Sequence, residues 1–251
     1  MSGRLAVFLF LLLCAAPVSA QREVSSIRID TLTLLDTLRH RRIPLACYTA
    51  RAGSIASAHL VLLSHGYNEN QPGTYLRYTY LAEFLAEHGY VVASVQHELP
   101  GDEPLAMKGD LRTLRRPNWE RGAENILFVL NHLKRTRPEL DFAHTTLIGH
   151  SNGGDMSVLF AEEHPELVEN LITLDNRRLP LPRTAKPRVL SLRSSDAPAD
   201  PGVLPSEKEQ TDLGMRIVPL VDVEHNAMSD RGTAEQRAEI TRLILAFLDE
   251  H

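Results

Sequence analysis

Cysteine is nearly missing from this sequence, which has two in 251 residues, Cys14 and Cys47. Cys14 lies in an N-terminal apolar stretch, so a chain trimmed of that stretch forms no intramolecular disulfide and its core must hold the fold unaided. Cys47, inside Ile43-Pro44-Leu45-Ala46-Cys47-Tyr48, reads as a buried small hydrophobe. No surplus of positive charge is present: 27 Lys and Arg stand against 32 Asp and Glu, a net charge of −5. That balance gives no reason to expect nucleic acid or an anionic membrane surface as partner. Internal repeats, low-complexity tracts and interdomain linkers are also missing. So are a Gly-x-Gly-x-x-Gly dinucleotide loop, a Lys-Ser/Thr phosphate loop and any His/Cys/carboxylate cluster at zinc spacing, so no cofactor and no metal are expected.

The one long apolar run is short for a membrane span. Arg4 precedes Leu5 to Ala16, and Pro17-Val18-Ser19-Ala20 follows. This is the layout of a signal peptide over residues 1–20, cleaved after Ala20, which makes the protein secreted or periplasmic with no membrane association afterwards. Bulky Leu13 ahead of Cys14 argues against a lipid anchor there. Losing Arg4 takes the net charge to −6. Residues 21–251 fit a single domain; the oligomeric state is left open, with a monomer adequate.

The mature chain opens with two strand patterns, Ile27 to Leu35 and Ile43 to Tyr48, joined by the polar turn Arg39 to Arg42, an antiparallel hairpin. His59 to Ser64 and Tyr90 to Val95 are continuous apolar runs, as in strands buried on both faces. A helix is expected between them from about Thr74 to His88, and a longer one from an Asn118 cap to Thr136. Leu171 to Leu174, Val189 to Leu192 and Ile217 to Val221 are further strands, and Thr233 to Glu250 is a closing amphipathic helix. Strand–helix alternation after a hairpin means α/β: a mostly parallel sheet with helices on both faces and its site at the strand carboxyl ends.

The stretch Thr145-Thr146-Leu147-Ile148-Gly149-His150-Ser151-Asn152-Gly153-Gly154-Asp155 runs from strand to Gly-x-Ser-x-Gly to helix. It places Ser151 on a strained turn, with Gly149 and Gly153 allowing strand and helix to approach and the Asn152 N–H at the positive end of the new helix. A serine nucleophile needs an adjacent imidazole. His225, in the loop Val223-Glu224-His225-Asn226 after the last strand, is the candidate. The acid that orients it is open among three: Asp196 after the strand Val189 to Leu192, Asp200 four residues on, and Asp175 after Leu174. Chain order permits all three, and proximity to the penultimate strand favours Asp196. In Ser64-His65-Gly66-Tyr67, Gly66 lets the backbone bend so that the Tyr67 N–H joins that of Asn152 in an oxyanion hole. His150 reads as packed in the turn.

Gly149-His150-Ser151-Asn152-Gly153, His65-Gly66-Tyr67 and His225 resemble the α/β-hydrolase superfamily over nearly the whole mature chain, most like lidless esterases and dienelactone-hydrolase-like enzymes. The resemblance implies Ser151 as nucleophile, His225 as base and an acid after the penultimate strand. The usual Gly-x-x-Asp acid turn is absent, since Arg193 stands at its start. About a dozen residues, Asn176 to Pro187, separate two strands where many hydrolases insert a cap, so no cap domain is expected. The polar loop from residue 97 to 117 is the best candidate roof, and Asn176-Arg177-Arg178 is a candidate grip on a substrate carboxylate or phosphate.

The resulting expectation is an exported serine hydrolase cleaving small carboxylic esters through an acyl-enzyme. The same constellation serves a peptidase or amidase, and a non-catalytic binding module on a hydrolase scaffold is the third reading. For the leader, N-terminal sequencing of the protein recovered outside the cytoplasm is expected to begin at Gln21; a sequence beginning at Met1 in that fraction contradicts cleavage.

Overall fold

The computed structural model describes residues 26–53 and 55–250. The expected leader at 1–20 lies outside the described residues. Strands β1 (Ile27–Asp36) and β2 (Arg41–Ala50) make the opening antiparallel hairpin, in register from Ile27↔Ala50 to Asp36↔Arg41. The Asp36 carboxylate ends β1 by accepting the N–H groups of Leu38 and Arg39, as turn aspartates do.

Six more strands follow: β3 (His59–Ser64), β4 (Val91–Val95), β5 (Asp141–His150), β6 (Asn170–Leu174), β7 (Arg188–Arg193) and β8 (Arg216–Pro219). They complete an eight-stranded sheet ordered β1-β2-β4-β3-β5-β6-β7-β8. β2 meets β4 antiparallel, and the pairings from β4 across to β8 are parallel. After β3 the chain goes to one side for β4 and then returns to the other for β5. The crevice at such a reversal is where ligands bind in open α/β sheets.

Side chains on β3 show why both faces are covered. Leu60 and Leu62 join one apolar cluster, Val61 and Leu63 the other, as the two-residue period requires. Helices α2 (Leu111–Thr136) and α3 (Asn152–Glu163) pack together on the first face, α1 (Thr79–Glu87) and α5 (Ala234–Leu248) on the second. Each such aliphatic side chain contributes about 1.5–3 kcal/mol on burial. This carries the stability that disulfides do not: Cys47 is buried and free, and burial pushes its thiol up to about 11.

Two helix starts differ from the sequence reading. α2 begins at Leu111 rather than after Asn118, capped by Asp110, whose carboxylate accepts from the Thr113 hydroxyl at 2.7 Å. Pro117 therefore lies inside the helix, in its second turn, where its fixed φ is tolerated at the cost of one backbone hydrogen bond. α1 begins at Thr79, with only one 3₁₀ turn at Thr74–Leu76 before it. The cause is Asp230, whose carboxylate caps the N–H groups of Thr79 and Tyr80 and the Thr79 hydroxyl.

The β6–β7 connection has no cap domain. Asp155, fully buried in the first turn of α3, holds it down by accepting the N–H groups of Arg178 (3.0 Å) and Leu179 (2.9 Å). A short helix α4 (Glu207–Leu213) precedes β8. Among the described residues no helix is long and apolar enough to cross a membrane.

Burial drives the Asp155 carboxyl up to about 6, against the two N–H bonds. A raised carboxyl keeps its proton in the folded state after the unfolded chain has lost it. Its contribution to stability is thus present below the ordinary aspartate range and lost as pH rises through about 6. An asparagine in its place can accept the same N–H groups without ionising. Asp155→Asn is therefore expected to gain stability relative to wild type between pH 4 and pH 7, by on the order of 3 kcal/mol, measured by urea unfolding at each pH. A difference that does not change with pH contradicts the assignment.

Candidate active site

Ser151 is the single residue between β5 and α3, and its backbone sits at φ 52, ψ −119. A non-glycine residue there costs about 1–3 kcal/mol and persists only where its surroundings enforce it. Enforcement comes from the Ser151 N–H donating to Leu174 O at 2.9 Å and from Asp155 N–H donating to Ser151 O at 3.1 Å. It also comes from close backbone contact. A Cβ on Gly153 would lie 2.4 Å from His65 O and 2.5 Å from Ser64 O, and one on Gly149 would lie 2.3 Å from Gly153 O. The two glycines serve the approach the sequence reading gave them.

The turn presents Ser151 Oγ 2.9 Å from Nε2 of His225, at the start of the 3₁₀ turn His225–Met228. Nδ1 of His225 lies 2.5 Å from Asp175 Oδ2. The acid at the imidazole is thus Asp175, the third of the three candidates, and not Asp196. Asp175 is fully buried at the end of β6 with φ 60. Its carboxylate also accepts from Ser194 N–H and Oγ, and an Arg193 Nη2 lies 2.8 Å away as a charge contact rather than an aligned hydrogen bond. Burial pushes this carboxyl up, but the His225 bond, the Arg193 charge and the Ser194 hydroxyl outweigh it and hold Asp175 below the usual carboxylate range.

The two other acids have different work. Asp196 is exposed and accepts the backbone N–H of His225 at 2.6 Å, so it fixes the start of the histidine turn. Asp200 pairs with Arg178. The reason lies in the strand ends. Leu174 and Leu192 are in register, which brings Asp175 level with Arg193. A buried guanidinium at the end of β7 needs an anion, and the neighbouring strand supplies it.

Both expected oxyanion donors border the nucleophile. The N–H groups of Tyr67 and Asn152 have no acceptor among the described residues. His65 carries its proton on Nδ1, donating to Gly66 O at 2.9 Å, because Nε2 accepts the His97 N–H at 3.0 Å. Holding that carbonyl turns the N–H of the same trans peptide, that of Tyr67, to the opposite side. The Asn152 side chain is clamped: Oδ1 accepts from Trp119 Nε1, and Nδ2 donates to Glu98 Oε1 and Asn118 Oδ1, each at 2.8 Å.

His150 does more than pack. The Gly66 N–H donates to the Tyr78 hydroxyl (3.1 Å), which donates to His150 Nδ1 (2.7 Å), while His150 Nε2–H donates to His225 O (2.9 Å). One chain of bonds thus links the Gly66–Tyr67 turn to the His225 turn. Burial, helped by neighbouring His225, pushes the His150 imidazole down to about 3, so it stays neutral. A Cβ on Gly66 would meet His150 Nδ1 at 2.5 Å.

The cleft over Ser151 has a cavity volume of about 70 Å³, and its walls come from residues between 66 and 78, from His150 and Ser151, and from residues between 225 and 231. No residue of the 97–117 stretch lines it, so the roof expected there is not one. That loop runs alongside, anchored by the Arg41–Asp102 ion pair. Arg178 is spent on Asp200, and Asn176 donates to Leu179 O; neither lines the cleft. Sequence reading missed Tyr78, Trp119, Asn118 and Glu98 as supports. Trp119 is the one tryptophan of the chain, and no local motif marks it. Elsewhere, at the amino end of the sheet, His59, Asp141 and His144 bring donor atoms within 4.8 Å of one another, a grouping that sequence spacing did not show.

A family model described as serine aminopeptidase, S33, matches residues 56–174. No curated protein sequence matches. Solved structures share the fold at low identity. A dienelactone hydrolase-like promiscuous phosphotriesterase from metagenomic libraries aligns with TM-score 0.63 at 15% identity, covering 90% of this chain and 98% of that one. Fungal esterases from Rhizomucor miehei align at 0.64 and 12%, covering 91% and 84%. Brefeldin A esterase, a bacterial homologue of human hormone sensitive lipase, aligns at 0.61 and 12%, covering 93% and 80%.

The three acids separate by substitution. Asp175→Asn is expected to lower kcat/KM on a nitrophenyl ester by about 10³–10⁴ with the fold retained by circular dichroism. Asp200→Asn is expected to stay within about threefold and Asp196→Asn within about tenfold, since the amide oxygen still accepts the His225 N–H and only the charge on that bond is lost. A loss in Asp196→Asn equal to that in Asp175→Asn overturns the assignment.

Proposed function

We propose that this chain, which shares its fold with dienelactone hydrolase-like and other esterases and matches a serine aminopeptidase family model over residues 56–174, is a serine hydrolase of the α/β-hydrolase superfamily cleaving small carboxylic esters through an acyl-enzyme. The observation that carries this reading is the continuous set of contacts from Asp175 through His225 to Ser151 Oγ, beside two free backbone N–H groups. In this scheme Ser151 Oγ attacks the carbonyl carbon as His225 Nε2 takes the hydroxyl proton. Asp175 steadies the imidazolium, and the Tyr67 and Asn152 N–H groups receive the developing oxyanion; one such donor is worth about 10²–10³ in rate. The tetrahedral adduct collapses, His225 returns the proton to the departing alkoxide, and acyl-Ser151 remains. Water then gives its proton to the same nitrogen and attacks the acyl carbon; as the second adduct collapses, His225 returns that proton to Ser151 Oγ and the acid is released. These steps use only groups of the chain itself.

The small, polar, capless cleft favours short soluble esters over long acyl chains. The same reading includes export: with residues 1–20 removed, the enzyme works outside the cytoplasm. Peptidase or amidase activity is the second reading, favoured by the description of the matching family model.

Wild type is expected to label with a fluorophosphonate and to hydrolyse short nitrophenyl esters at least about 10²-fold faster than the matching anilides. Ser151→Ala is expected to lose both labelling and turnover while its thermal midpoint stays. Faster anilide cleavage selects the amidase reading. An unlabelled, inactive wild type leaves the binding-module reading.

A further inference from the structure

Two arginines line the Ser151 cleft, Arg77 and Arg231, and no Asp or Glu lines it with them. Neither guanidinium has an ion-pair or hydrogen-bond partner among the described residues, whereas Arg41, Arg178 and Arg193 each meet a carboxylate. The acid that precedes Arg231 in the chain is already committed. Asp230 accepts three bonds from the first turn of α1, at 3.1, 2.7 and 3.0 Å. Its own N–H donates to Arg77 O at 2.9 Å. That pair of links ties the segment carrying Arg77 to the segment carrying Arg231, and neutralises neither cation.

The placement is also fixed from the catalytic side. Arg231 follows the His225–Met228 turn, which is closed by Ser229 Oγ donating to Asn226 O and by Gly232 N–H donating to Ser229 O. Arg77 directly precedes Tyr78, the link between the oxyanion turn and His150. Both cations therefore hang from the two loops that build the site, on a chain whose net charge is −5. Guanidinium donors left unpaired at a cleft mouth match the planar, two-oxygen geometry of a carboxylate.

Resting on the serine-hydrolase reading, we propose that Arg77 and Arg231 form an anion subsite and that the substrates are esters carrying a free carboxylate close to the scissile bond. Monoesters of short dicarboxylic acids place it on the acyl side, and esters of small hydroxy acids on the alcohol side. The subsite takes the place of the grip expected at Asn176-Arg177-Arg178, where Arg178 is paired with Asp200.

The test compares nitrophenyl hemiglutarate with nitrophenyl pentanoate for the acyl side, and 3-carboxy-4-nitrophenyl acetate with 4-nitrophenyl acetate for the alcohol side. In wild type the kcat/KM ratio of charged to neutral ester is expected to exceed about tenfold in one arm and to shrink as ionic strength rises to about 0.5 M. In Arg77→Gln/Arg231→Gln that ratio is expected to fall at least about tenfold, whatever happens to turnover as a whole. Because a ratio is read, a change in His225 basicity cancels. Should the double variant not fold, free glutarate is expected to slow fluorophosphonate labelling of wild type in a salt-sensitive way that pentanol does not. Ratios near unity in both arms, a ratio unchanged in the double variant, or absence of glutarate protection overturn the subsite and leave the serine chemistry standing. A wild type that neither labels nor hydrolyses any ester overturns both.

Discussion

The contact on which the rest depends is between backbone and backbone, where α3 begins. Gly153 presses against the carbonyl oxygens of Ser64 and His65, so the turns after β3 and β5 occupy one space. That single approach sets Ser151 beside the peptide that carries the Tyr67 N–H. It also enforces the φ 52 of Ser151, because relaxing the turn would drive the helix into β3. Catalytic geometry here is a by-product of how tightly two parallel strands deliver their ends to the same crevice.

Around this contact many of the polar groups bond to one another instead of to water. Glu98, Asn118 and Trp119 hold the side chain of Asn152, and His65 holds the peptide before Tyr67. Tyr78 and His150 carry the connection across to the His225 turn. Buried polar groups of this kind are costly when left unpaired and rigidifying when paired. These bonds therefore supply preorganisation, the quality that makes backbone N–H groups effective against a developing charge.

Much of this is legible in the sequence, and what is not has a physical cause. Period-two and continuous apolar runs locate the strands, since burial on both faces leaves no alternative composition. The Ser151 turn and the histidine loop are legible because strain and nucleophile activation demand particular residues in particular order. The acid is not, because adjacent parallel strand ends are equivalent in one dimension. Only the register of β6 with β7 shows Asp175 beside Arg193. Arg193 holds the missing clue: a cation ending a buried strand calls for a neighbouring anion. The start of α2 is misplaced in sequence because Pro117 reads as a break, although the Asp110 cap has already begun the helix. The cleft arginines are invisible for another reason. Nothing local distinguishes a spent arginine such as Arg178 from an unspent one such as Arg77.

The short segment after β6, fastened to α3 by Asp155, has a kinetic consequence. Where a cap swings over a site, its opening and closing can set the pace of turnover. Here the segment in that position is stitched to the core, so the described residues offer no gate across that side of Ser151. On the proposed serine-hydrolase reading, products leave by diffusion and water reaches the acyl-serine as soon as the alcohol has gone. On that reading turnover is paced by bond making and breaking at Ser151, and it follows the leaving group and the acyl carbonyl instead of the motion of a lid.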